Sequence, residues 1–289
     1  MNRWTMVLVV VVTVLVLGNH CWGQGFSPSS SSTRKTPKKP TVVDRLLFFP
    51  TKFPDGDWNP EGLRFEDVVF TSEDGTTLHG WYCPAENPRG VVLMAHGNAG
   101  HVASRANWLR YLQTKMGLSV FLFDYRGYGQ SEGTPTVEGV IQDATAARAK
   151  LRELASVKDS EMILMGESLG GAVVTQLAAD SAPRALILQS TFSSLRDVAA
   201  IHFSHLSVLV PKKKLDSVNS IASYKGPLLQ SHGDADRTIP FSLGEKLFKA
   251  ANEPKTFVKL EGADHNDWLT DKYLEELNRF LDGLPAAKD

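Results

Sequence analysis

From residue 64 onward, short apolar or alternating runs take turns with stretches of helical periodicity. That alternation predicts an α/β protein, a mostly parallel central sheet of about eight strands flanked by helices on both faces. Length and composition agree with a single catalytic domain. The chain has 289 residues, 42% of them hydrophobic, enough for one substantial core.

The first 25 residues read differently. Arg3 supplies a positive charge, Met6 to Leu17 is apolar apart from Thr13, and Gly18 to Gly25 turns small and polar, the layout of an export signal. The apolar run is shorter than the roughly 20 residues a membrane-spanning helix needs, so cleavage is expected, with retention as a membrane anchor the alternative. Cys21-Trp22-Gly23 offers a small-x-small site that would leave Gln24 as the mature N-terminus. The bulky His20 argues against a lipoprotein at Cys21. The expected localisation is therefore periplasmic or extracellular. Of the two cysteines, only Cys83 would remain after cleavage, so no internal disulfide is expected. Residues 26–61 read as a linker and N-terminal extension, because its Ser, Pro and basic residues as far as Thr41 leave little to pack. Arg34, Lys35, Lys38 and Lys39 fit a solvated tether, with peripheral contact to anionic lipid as the second reading.

Residues 62–285 form the expected catalytic domain. Its strands are predicted near Phe65–Phe70, Leu78–Tyr82, Val91–Ala95, Val120–Asp124, Met162–Gly166, Ala185–Gln189, Leu228–Ser231 and Phe257–Leu260. Helices are predicted near Ala103–Lys115, Val137–Leu154, Leu169–Ala179, Leu243–Ala250 and Leu269–Leu281. The segment Thr191 to Lys225 is longer than an ordinary connection and mixes apolar with basic residues, so a small cap is expected at about 191–226.

Gly-x-Ser-x-Gly occurs twice, around Ser131 and around Ser168. The pattern means little without a strand running into a helix through a sharp turn. Ser168 has that context: Met162-Ile-Leu-Met165 precedes it and Leu169-Gly-Gly-Ala-Val-Val-Thr-Gln-Leu-Ala-Ala179 follows. Ser131 is followed by Glu-Gly-Thr-Pro135, which stops any immediate helix and makes Arg126 to Gly133 a structured loop.

Serine is a weak nucleophile unless a base takes its proton and a third group fixes the base's tautomer. His265 follows the last predicted strand and precedes the terminal helix, where such a base belongs. Among the other histidines, His20 lies in the signal, His79 in an early strand, and His202 and His205 in the cap. His96 and His232 open glycine turns, where an imidazole bonds backbone, and His101 reads as a surface residue at a helix start. For the acid, Asp234 and Asp236 both lie just past the Leu228 strand, and their positions alone do not separate them. The oxyanion needs two N–H donors. Leu169, after the nucleophile, gives one; the turn His96-Gly97-Asn98-Ala99-Gly100 gives the other, assigned to Asn98 with Ala99 as the fallback.

His-Gly-Asn-Ala-Gly, Asp124-Tyr-Arg-Gly-Tyr-Gly-x-Ser131, Gly-Glu-Ser-Leu-Gly-Gly, His-Gly-Asp-x-Asp236 and Gly-Ala-x-His265-Asn-Asp267 occur in this order. Together they resemble the α/β-hydrolase superfamily, especially its HGN-turn branch related to serine aminopeptidase-like hydrolases, over about residues 62 to 282. The resemblance implies the α/β-hydrolase fold, Asp236 as the acid, and a non-nucleophilic Ser131. Asp264 departs from it, standing where many relatives carry glycine, and an extra carboxylate there is expected to raise the His265 pKa. Serine at the elbow implies acyl transfer, and the branch's lipid hydrolases and depalmitoylases imply esters or thioesters over peptides.

The expected function is a serine hydrolase acting on a small-molecule or lipid acyl ester. Ser168, His265 and Asp236 would do the chemistry, Asn98 and Leu169 would bind the oxyanion, and no metal or organic cofactor is needed. An aminopeptidase or amidase, an acyltransferase, and an inactive binding protein on the same scaffold are the alternatives. A formal net charge of −1 removes the electrostatic case for nucleic acid. The cap run Ile201 to Val210, followed by Lys212–Lys214, is a candidate acyl-chain site.

Overall fold

The computed structural model describes residues 39–202 and 207–285. The expected signal, residues 26–38 of the linker, His20, Cys21 and His205 lie outside the described residues. Among those described, no helix is long and apolar enough to cross a membrane.

Eight strands make the central sheet: β1 (Glu66–Thr71), β2 (Thr77–Cys83), β3 (Gly90–Ala95), β4 (Leu118–Phe123), β5 (Met162–Glu167), β6 (Ala185–Gln189), β7 (Leu228–Gly233) and β8 (Lys255–Leu260). Their spatial order is β8-β7-β6-β5-β3-β4-β2-β1. Every pair from β4 to β8 is parallel, and β2 runs antiparallel to both its neighbours. The predicted fold class is the observed one. After β3 the chain turns to β4 on one side, then returns to lay β5 on the other. The C-terminal ends of β3 and β5 therefore flank a switch point, where open α/β sheets leave a crevice.

Period-two alternation sends the strand side chains to opposite faces. Leu93, Phe121, Leu164 and Leu188 join one core, and Met94, Leu122, Met165 and Ile187 join the other. The helices, in chain order, are α1 (Val42–Leu47), α2 (Ala106–Thr114), α3 (Val137–Ala155), α4 (Leu169–Ser181), α5 (Leu195–His202), α6 (Ser217–Ser223), α7 (Phe241–Ala250) and α8 (Asp271–Asp282). Helices α3, α4 and α7 cover the first face, while α2 and α8 cover the second. Cys83 is fully buried in the second core, where desolvation pushes its thiol up to about 12.

Three details depart from the sequence reading. The predicted helix 103–115 is a 3-10 turn, Val102–Arg105, followed by the shorter α2. Within 191–226, Phe192, Leu195, Val210, Leu215, Ile221 and Tyr224 are core residues, whereas Ile201, Val208 and Leu209 remain exposed, so much of the segment is packed on the body. His101, expected at the surface, is buried, because Trp58 from the N-terminal extension stacks on its ring at 4.8 Å.

From Thr41 the extension is bonded to the body. Thr41 and Asp44 cap α1 reciprocally, and Asp44 Oδ1 also accepts the Val137 N–H at 2.9 Å, at the start of α3. Phe49–Pro50 then pairs in parallel with Ala99–Gly100, the last residues of the turn after β3.

The loop after β4 is held by charge. Arg126 meets Asp74 at 2.6 Å and Asp143 at 2.7 Å, with all three side chains at most 3% exposed. Ser131 Oγ donates to the Asp124 carbonyl at 2.8 Å and accepts the His79 N–H at 2.9 Å, so its hydroxyl is spent on structure. Removing one member of a buried ion cluster strands the others. Arg126→Ala is accordingly expected to lose about 3–5 kcal/mol in urea unfolding. Replacing Arg126, Asp74 and Asp143 together with apolar residues of similar volume should cost less than that single change.

Candidate active site

Ser168 sits between β5 and α4 with φ +50° and ψ −115°, a conformation that costs a non-glycine residue about 1–3 kcal/mol. Neighbouring glycines let the turn close. A Cβ on Gly166 would lie 2.4 Å from the Gly170 carbonyl oxygen, and one on Gly170 would lie 2.0 Å from the Ala95 carbonyl oxygen. Strand β5, helix α4 and the end of β3 thus touch through backbone alone. The Ser168 N–H donates to the Gln189 carbonyl at 2.8 Å and its carbonyl accepts the Thr191 hydroxyl at 2.7 Å, tying the strained residue to the end of β6.

His265 follows β8, and its ring lies between the two other predicted groups. Nε2 is 3.1 Å from Ser168 Oγ and Nδ1 is 2.7 Å from Asp236 Oδ2. Asp236 is buried. Burial alone would raise its carboxyl pKa, but hydrogen bonds from His232 and His265 and the N–H of Ile239 outweigh it and hold the group far below the usual carboxylate range. An ionised Asp236 requires the imidazole proton on Nδ1, which leaves Nε2 to accept from the Ser168 hydroxyl. Asp236 Oδ1 also accepts the Thr238 and Ile239 N–H groups at 2.8 and 2.7 Å, fixing the carboxylate plane.

Asp234 is not in this line. It is exposed, accepts the Gly262 N–H at 2.7 Å and meets Lys259 at 3.0 Å, so it pins the turn after β8. Asp264 also points elsewhere. Its carboxylate accepts the Arg237 N–H at 3.0 Å and the His265 N–H at 2.8 Å and pairs with the Arg237 guanidinium; these donors lower its pKa to about 2. The carboxylate expected to perturb the His265 ring instead holds the His265 backbone and carries its own counter-charge.

The β3 turn lies against the elbow, since that same Cβ on Gly170 would be 2.6 Å from the His96 carbonyl oxygen. Leu169 is the first residue of α4, so its N–H has no intrahelical acceptor. Around Asn98 several other polar groups are engaged, although the buried His96 Nε2 has no hydrogen-bond partner among the described residues. The Tyr125 hydroxyl donates to the His96 carbonyl at 2.9 Å, and His96 Nδ1 is 2.7 Å from the Gly97 carbonyl. Tyr128 donates to Asn98 Oδ1 at 2.9 Å, and Asn98 Nδ2 donates to the Leu47 carbonyl. The Asn98 N–H has no acceptor among the described residues.

His79 and His101 are packed away from this site, and His202 Nε2 bonds the Thr238 carbonyl at 2.7 Å. His232 bonds backbone as expected, at 2.8 Å to the Ile239 carbonyl. It also approaches Asp236 Oδ2 at 3.3 Å, a contact the glycine-turn pattern does not announce. Sequence reasoning likewise missed Glu167, Arg105, Tyr125 and Tyr128. Only adjacency marks Glu167, and the tyrosines become legible once the loop after β4 is known to lie beside the β3 turn. Among the described residues no group of three or more His, Cys, Asp or Glu is disposed to hold a metal ion.

A family model described as serine aminopeptidase, S33, matches residues 86–221. The uncharacterized protein Rv2307c of Mycobacterium tuberculosis is 39% identical over 247 residues, covering 82% of this chain and 86% of that protein. Alpha/beta hydrolase domain-containing protein WAV2 of Arabidopsis thaliana is 34% identical over 230 residues, covering 72% and 75% of the two chains. An esterase of Pyrococcus furiosus shares the fold with a TM-score of 0.69 at 20% identity, covering 82% of this chain and 98% of that one. Sequence identity at this level over most of both proteins, together with the sheet order and the strand–turn–helix elbow, means that the chain belongs to the α/β-hydrolase superfamily.

Proposed function

We propose that the protein is a serine hydrolase that cleaves carboxylic esters or thioesters through an acyl-enzyme. The observation that carries this reading is the continuous line from Ser168 Oγ through the His265 ring to the buried, ionised Asp236. In the first half-reaction Ser168 Oγ bonds to the acyl carbon while its proton passes to His265 Nε2. Asp236 stabilises the resulting imidazolium. The carbonyl oxygen, now negative, accepts the Leu169 and Asn98 N–H groups. When the tetrahedral intermediate collapses, the alcohol or thiol leaves with the proton from His265. A water molecule then repeats the sequence on the acyl-enzyme and frees the carboxylic acid and Ser168.

An amidase or aminopeptidase reading stands second, favoured by the description of the family model over residues 86–221. Higher kcat/KM on aminoacyl anilides than on short acyl esters would promote it. Export through residues 1–25 belongs to the proposal as well, since that segment has the composition of a signal.

Labelling with a fluorophosphonate probe is expected for the wild type and for Ser131→Ala, and is expected to vanish in Ser168→Ala; labelling that survives in Ser168→Ala would refute the assignment. Asp236→Asn should lower kcat by about 10⁴-fold by favouring the wrong histidine tautomer, whereas Asp234→Asn should leave kcat within about twofold. Equal losses in the two variants would return the acid to an open question. Val208 and Leu209 are 68% and 59% exposed in the cap, which fits contact with an acyl chain. Changing both to serine should cut the preference for octanoyl over acetyl p-nitrophenyl esters by about tenfold, and an unchanged preference would remove the cap from substrate recognition.

A further inference from the structure

Glu167 precedes the nucleophile, and its carboxylate lies under the β3 turn in an ion pair with Arg105; the two side chains are 14% and 16% exposed. Glu167 Oε1 accepts the Gly97 N–H at 3.1 Å, while Arg105 Nη1 donates to the Ala99 carbonyl at 2.7 Å. The pair therefore grips the turn on both sides of Asn98, the residue whose own N–H has no acceptor among the described residues. Gly97 makes room for this, because a Cβ there would stand 2.8 Å from the Glu167 oxygen.

A carboxylate beside the nucleophile presents an electrostatic difficulty, since negative charge develops on the substrate oxygen during attack. A charge-assisted hydrogen bond to Gly97 would hold the turn firmly, yet the same charge would oppose the oxyanion. Arg105 resolves the conflict by lying against the carboxylate and the turn at once. We infer that Glu167 and Arg105 are positioning residues: the carboxylate orients the turn so that the Asn98 N–H faces the oxyanion, and the guanidinium cancels the carboxylate's opposing field. Consistent with this arrangement, burial pushes the Glu167 carboxyl up, but the Arg105 charge and hydrogen bond outweigh it and keep the group ionised. The inference rests on the assignment of Ser168 as nucleophile and goes beyond it, because neither residue touches the reacting atoms.

The test is steady-state hydrolysis of p-nitrophenyl butyrate by wild type, Ser168→Ala, Arg105→Met, Glu167→Gln and the double variant Arg105→Met/Glu167→Gln, each checked for an unchanged circular dichroism spectrum. Losing an oxyanion donor outright costs about 10²–10³ in kcat, so Arg105→Met, which leaves the carboxylate uncompensated and the turn loose, is expected to lose about 10–100-fold with KM within about threefold. Glu167→Gln should lose less, and the double variant should recover about tenfold over Arg105→Met because the opposing charge is gone. Should Arg105→Met fail to fold, Arg105→Lys supplies the same readout, since an ammonium lacks the fork that spans Glu167 and Ala99. Wild-type kcat in folded Arg105 variants, with turnover still abolished in Ser168→Ala, would overturn the inference and leave the nucleophile intact. Absence of Ser168-dependent turnover in the wild type would overturn both.

Discussion

The arrangement depends on a contact that contains no side chains. Strand β5, the first turn of α4 and the end of β3 meet through Gly166, Gly170 and the Ala95 carbonyl, closer than any Cβ allows. That closeness permits Ser168 to hold a left-handed backbone angle at the end of a strand. It also sets the β3 turn beside Ser168. Separating the strand from the helix by one methyl group would change the direction of the Ser168 side chain and the turn's distance together, so two requirements of the proposed chemistry share one packing constraint.

Charge around the site is handled by local compensation. Asp236 is buried and kept ionised by donors from His232, His265 and the loop's own N–H groups. Asp264 carries its counter-charge in Arg237, Glu167 in Arg105, and Asp74 and Asp143 in Arg126. A carboxylate close to a reacting histidine or a developing oxyanion disturbs it unless it is answered nearby. Here each one described is answered within hydrogen-bonding distance.

Much of this was legible in the sequence for a physical reason. A strand buried on both faces has to be apolar, a parallel crossover has to contain a helix, and a serine turned out at the end of a strand needs a turn with small neighbours. Those demands leave Met162–Met165, Ser168 and Gly170 plainly visible. Position alone left Asp234 and Asp236 equivalent, because they differ in the direction of a side chain within a tight turn and sequence spacing does not encode that direction. Asp264 was misleading for the same reason: proximity in sequence to His265 suggested its ring, whereas the carboxylate turns to Arg237 and to backbone. The burial of His101 has no signal in the sequence, because the Trp58 that covers it comes from an extension with no strong periodic pattern.

That extension bears on how much of this chain the proposed site needs. The region recognised by the family model begins at residue 86 and ends at residue 221, so it contains Ser168, Asn98 and Glu167. It omits Asp236 and His265, and also Leu47 and Phe49, which hold the Asn98 side chain and pair with Ala99. A fragment cut at those limits would keep the proposed nucleophile while losing the proposed base, the proposed acid and the brace on the turn. The matched region is therefore shorter than the set of elements that builds the proposed site, whose brace reaches back to the helix capped by Thr41.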